Sequence, residues 1–101
     1  MTHAERATKV ITRLFPSERF KLMVGSSQDH SKEYSKDETV VIFWDDTWVG
    51  YLHMNKDTGI IEEFQQNDHI CLCLPDILYI AEITSGYNAG IMEELNEKTS
   101  G

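Results

Sequence analysis

Apolar side chains at Ala7, Val10, Ile11, Leu14 and Phe15 follow the i, i+3, i+4, i+7, i+8 spacing of one helical face, while Arg6, Lys9 and Arg13 fall elsewhere. Thr2 with Glu5 three residues on makes a capping pair, and Pro16 stops the run, so a helix is predicted over 2–15. Phe20-Lys21-Leu22-Met23-Val24 changes to a period of two and predicts a short strand. From Gly25 to Lys36 the chain is polar and serine-rich, and reads as an exposed loop.

The stretch 39–66 predicts a three-strand antiparallel meander. Val40-Val41-Ile42-Phe43-Trp44 is β-branched and aromatic, Asp45-Asp46 is a turn, and Thr47 to Met54 resumes the strand pattern. Asn55-Lys56-Asp57-Thr58-Gly59 supplies a second turn, with Gly59 placed to take a positive φ before Ile60 to Phe64. A two-residue loop at Asp45-Asp46 sets Phe43 opposite Trp48, Ile42 opposite Val49 and Val41 opposite Gly50. Phe43, Val41, Trp48 and Leu52 then share one face, and Ile42, Val40, Val49 and Tyr51 the other. Both faces are apolar, so each requires a cover: helices of this chain, or a partner.

Asp68 to Leu74 reads as a further strand. Pro75-Asp76 opens a helix to Thr84 with Ile77, Leu78, Ala81 and Ile80 as its apolar stripe; Gly86 ends it. A second short helix spans Ile91 to Glu97, docking Ile91 and Leu95 and facing Glu93, Glu94 and Glu97 to water, before a frayed tail. Together these elements predict one α+β domain over residues 1–101: an antiparallel sheet of four to five strands, an N-terminal amphipathic helix and two short C-terminal helices.

Charge changes the picture by its position. Residues 1–36 carry seven Lys/Arg against four Asp/Glu, a balance of +3; residues 37–101 carry two against thirteen, a balance of −11, and the two make the net −8. A surface of that sign repels nucleic acid and attracts cationic proteins. No run of about 20 apolar residues exists to span a bilayer, the first residues lack a secretory h-region, and Cys71 and Cys73 are too close in sequence for an unstrained disulfide. A cytoplasmic protein with reduced cysteines, buried as small hydrophobes, is the expectation, with no cofactor.

Candidate chemistry is sparse. His69, Cys71 and Cys73 at i, i+2, i+4 with His53 on a nearby strand compose a second alternative, a metal- or ligand-binding domain or small enzyme, although three same-face strand residues span too far for tetrahedral zinc. Glu62 and Glu63 point to opposite faces and cannot pair as acid and base. Asp57-Thr58-Gly59 matches the aspartic-protease triplet, but it stands where a hairpin needs turn residues and no paired lobe accompanies it. No Gly-rich phosphate loop or nucleophile elbow is present.

The leading expectation is a non-enzymatic interaction domain, an inhibitor or regulator that offers Trp44, Asp45, Asp46, Tyr51, Glu62 and Glu63 to a basic protein partner. In size and charge alone it is similar to immunity proteins and phage-encoded inhibitors. A nucleic-acid-mimicking inhibitor is the first alternative, and a homodimer through an uncovered sheet face is the structural version of the same idea.

Overall fold

The computed structural model describes residues 1–25 and 35–100, with side chains to residue 97. The predicted loop therefore lies mostly outside the described residues. The element order is α1 (His3–Leu14), β1 (Phe20–Val24), a 3₁₀ turn (Lys36–Glu38), β2 (Thr39–Trp44), β3 (Thr47–Met54), β4 (Ile61–Gln66) and α2 (Leu74–Ser100). The four strands form one antiparallel sheet in the order β1-β2-β3-β4, so the fold is α+β.

α1 begins as its sequence requires. The Thr2 hydroxyl accepts from Glu5 N at 3.1 Å and the Glu5 carboxylate accepts from Thr2 N at 3.4 Å, which satisfies two of the donors that a helix start leaves open. Ala4, Ala7 and Ile11 are buried beneath it, whereas Leu14 is exposed.

The Asp45-Asp46 hairpin forms as a two-residue turn, with φ of 50° and 65° at the two aspartates. Phe43 pairs with Trp48 as the turn dictates, but the register then slips: Ile42 lies opposite Gly50, Val41 opposite Tyr51, and Val49 is the extra residue of a bulge. This corrects the expected facing. One residue of slip turns Tyr51 to the face of Val41 and Phe43, and sends Leu52 to the face of Val40 and Ile42. The second turn closes on Asn55, whose side-chain oxygen accepts from Asp57 N at 2.8 Å and Thr58 N at 3.0 Å. Gly59 takes φ 79°, and a Cβ there would strike the His3 ring, whose Nε2 lies 3.1 Å from Lys56 O. The Asp-Thr-Gly triplet is thus a turn docked on the start of α1.

Several expectations fail beyond β4. Residues 68–73 form no strand: Asn67 accepts from His69 N and donates to Trp48 O, turning the chain off the sheet. Ile70 and Leu72 pack against the core while Cys71 and Cys73 are both exposed, so the cysteines are not buried hydrophobes. The two predicted C-terminal helices are one helix of 27 residues that runs through Gly86 and Gly90. Each interior glycine costs about 1 kcal/mol relative to alanine, but burying Ile80, Ile83, Tyr87 and Ile91 returns about 1.5–3 kcal/mol apiece. Of the expected docking residues Ile80, Ile91 and Leu95 do pack inward, whereas Ile77, Leu78 and Ala81 face outward and Ile83 and Tyr87 take their place.

Asn88 fixes α2 to the sheet. Its side-chain oxygen accepts from Ile61 N and its side-chain nitrogen donates to Ile61 O, both at 2.8 Å. At the opposite end Tyr79 meets the edges of Phe20 and Trp44, with ring centroids 5.5 Å away in each case. α1 and α2 therefore cover the same side of the sheet, over Phe20, Val40, Ile42, Leu52, Met54 and Ile61.

Candidate interaction surface

The other side of the sheet has no helix over it among the described residues. By alternation it carries Lys21 and Met23 from β1, Thr39, Val41 and Phe43 from β2, Trp48, Tyr51 and His53 from β3, and Glu63 and Gln65 from β4. The two ends of this face differ. At one end His53 is fully buried, its Nε2 2.9 Å from Gln65 Oε1, its Nδ1 3.4 Å from Thr39 Oγ1, and its ring stacked on Tyr51 at 5.9 Å. The hairpin end is open: Met23 is 58% exposed, and Val41, Phe43 and Trp48 are half-buried. Lys21, Met23, Phe43 and Asp46 border a shallow groove there of about 330 Å³.

The turn beside this groove is built from both signs of charge. Arg19 grips Asp45 through two nitrogens, Nε–Oδ1 at 2.9 Å and Nη2–Oδ2 at 2.6 Å, while Lys21 Nζ stands 3.5 Å from Asp46. The hydrogen bond from Arg19 holds the Asp45 carboxyl below its ordinary range. The Arg19 guanidinium also lies 5.2 Å from the centre of the Trp44 ring. Arg6 makes the corresponding pair with Glu94 across α1 and α2. Basic residues from the first third of the chain thus sit against acids of the remainder, and the split along the sequence is partly closed in space.

The six residues expected to meet a partner are not gathered on one surface. Trp44 belongs to the helix-covered side, between Phe20, Tyr79 and Arg19. Asp45 and Asp46 form the turn, and Tyr51 lies on the helix-free face, 5.2 Å from the Trp48 ring and only 9% exposed. Glu62 is exposed and accepts from Asn55 Nδ2 at 2.9 Å, and Glu63 stands opposite His53. Met23, Val41 and Phe43 were missed as a group. The apolar character of both faces contained that signal; which face the helices would leave was not in the pattern.

The alternative ligand set is dispersed as well. His53 is interior, His69, Cys71 and Cys73 are exposed, and among the described residues no three His, Cys, Asp or Glu side chains converge on a point that could hold a metal ion. Cys73 instead stands at the start of α2, where its thiol donates to Asp76 Oδ2 at 2.9 Å. A second cleft, about 520 Å³, lies between Trp48, Tyr51, Gln65 and the turn to His69. Its amides are engaged in holding that turn: Gln66 donates to Ile70 O and Asn67 to Trp48 O.

No helix among the described residues is long and apolar enough to cross a membrane. Fold and surface together define an α+β domain whose meander is covered by helices on one side, with an apolar hairpin end bordered by paired charges on the other. No family, curated protein or solved structure matches this chain.

Proposed function

We propose that the chain is a small non-enzymatic interaction domain, an inhibitor or regulator, that binds a basic protein partner through the hairpin end of its helix-free sheet face. The observation that supports this reading is an apolar patch beside Asp46, with Met23 exposed and Val41 and Phe43 half-buried, and no helix over it among the described residues. Aromatic and apolar side chains would supply the contact area, and the net charge of −8 would speed encounter with a cationic surface. The pairing of Asp45 with Arg19 and Asp46 with Lys21 weighs against the nucleic-acid mimic, which needs a row of uncompensated anions.

The test is capture of the partner from the native cell at low salt, followed by binding kinetics with two variants. Phe43→Asp is expected to abolish retention without unfolding the chain, and Asp45→Asn/Asp46→Asn to lower the association rate and flatten its salt dependence. Retention unchanged by Phe43→Asp removes this face from the reading. A partner displaced by DNA or RNA in competition would favour the mimic instead.

A further inference from the structure

α2 carries two apolar stripes. The inner one, through Ile80, Ile83, Tyr87 and Ile91, is buried against the sheet and α1. The outer one lies roughly two-fifths of a turn away at about 100° per residue, and it faces solvent. Leu74, Leu78 and Met92 on it are 66%, 59% and 54% exposed, and Ala81, Ser85 and Ala89 stand exposed between Leu78 and Met92. Beside it runs an apolar groove of about 570 Å³, bounded by Phe64 of β4 and by Ile77, Ala81 and Met92 of the helix.

From Leu78 to Met92 the outer stripe is symmetric about Ser85. Alanines stand four residues to either side, at 81 and 89, and long apolar side chains seven residues to either side, at Leu78 and Met92. An interface between two identical chains related by a two-fold axis requires this property, since residue i must fit j while j fits i. Two copies of α2 laid antiparallel across Ser85 set each Leu78 against the other copy's Met92, and each Ala81 against the other's Ala89. Small residues at the crossing permit an axial separation near the lower end of the ~8–10 Å range, and the long ones at its ends reach the partner's groove. At three residues from the axis Glu82 stands opposite position 88, whose side chain is turned to Ile61, so no glutamate there opposes its own copy.

Charge favours the same occupant. From Leu78 to Met92 the stripe itself is uncharged, with Glu82 at its margin, so a second copy meets it without like charges opposed across the axis, and it offers little to the cationic partner that the acidic surface would attract.

We infer that the outer stripe of α2 is a homodimer interface, antiparallel and centred on Ser85. It is independent of the sheet face proposed for a foreign partner, and a dimer built this way would carry two such faces.

Sedimentation velocity of the full chain from about 5 to 200 µM, at low and high salt, is the test. A monomer–dimer equilibrium that tightens with salt is expected, because each copy carries −8. Ala89→Arg, at an exposed position, is expected to weaken it by about tenfold or more with the fold retained by circular dichroism. In a Cys71→Ser/Cys73→Ser background, Ser85→Cys is expected to form an intermolecular disulfide on mild oxidation, and Thr12→Cys on α1 is not. A monomer throughout that range, or a dimer insensitive to Ala89→Arg, overturns the inference. A dimer dissociated by Phe43→Asp alone moves self-association to the sheet face and also overturns it. A dimer in which Ser85→Cys does not cross-link overturns the antiparallel register.

Discussion

The two faces of the sheet are made from the same four strands and both carry apolar side chains. On one, Ile42, Leu52 and Ile61 are sealed beneath α1 and α2; on the other, Met23, Val41 and Phe43 have no helix above them among the described residues. Topology accounts for the difference. A meander needs no crossover helix, and among the described residues the two α-helices stand before β1 and after β4 in the chain and pack on the same side. Apolar alternation thus reports which residues avoid water in some assembly. It does not report which of those assemblies a single chain completes.

The largest expected effect separates the faces directly. Ile42→Ala on the covered side should cost about 2–5 kcal/mol in urea unfolding, while its neighbour Val41→Ala should cost less, about 1 kcal/mol, because that side chain is only partly buried. Equal costs would mean that the second face is as well sealed as the first.

An intermediate effect tests how α2 closes the covered side. Asn88→Ala strips Ile61 N and O of their partners and should cost about 1–3 kcal/mol. A loss under about 0.5 kcal/mol would leave the buried stripe of α2 as the sole attachment.

The smallest effect has the opposite sign. The Tyr87 hydroxyl is buried without a hydrogen-bond partner, and burial pushes its pKa above the ordinary value, with the Arg6 charge opposing. A raised folded pKa means that Tyr87 favours the fold fully below the unfolded value near 10, and that this contribution is lost as pH rises through the folded value. Tyr87→Phe should therefore raise stability by about 1 kcal/mol at neutral pH and reduce the alkaline loss of Tm. Destabilisation on removing the hydroxyl would show that it is solvated or paired in solution.

Those regions also differ in how well they could be read from the chain. α1 was legible to within a residue because capping box, apolar period and Pro16 agree, and each acts locally. β1 and the two turns of the meander were legible for the same reason. The slip at Val49 was not, since Gly50 marks where a bulge is tolerated without requiring one. Continuity through Gly86 and Gly90 was hidden because the local cost of glycine is visible in sequence, while the burial of Tyr87 and Ile91 that outweighs it depends on the sheet and α1. The stretch Ile70 to Leu74 misled because a short apolar run has no period of its own; Asn67 had already turned it away from β4. Of the candidate surface, the position of the Asp45-Asp46 turn was legible, while its pairing with Arg19 and Lys21 and the apolar floor beside it depended on strand pairing and on the undecided placement of the helices.

Asn88 has one more consequence. β4 is the last strand of the sheet, and an outer strand ordinarily offers its free backbone groups as a template on which another chain can add. The amide of Asn88 occupies both groups of Ile61 as a neighbouring strand would, so that margin is stopped by a single side chain held on a helix. For an acidic molecule with exposed apolar surfaces, this blunts one route from ordered contact to open-ended fibre growth.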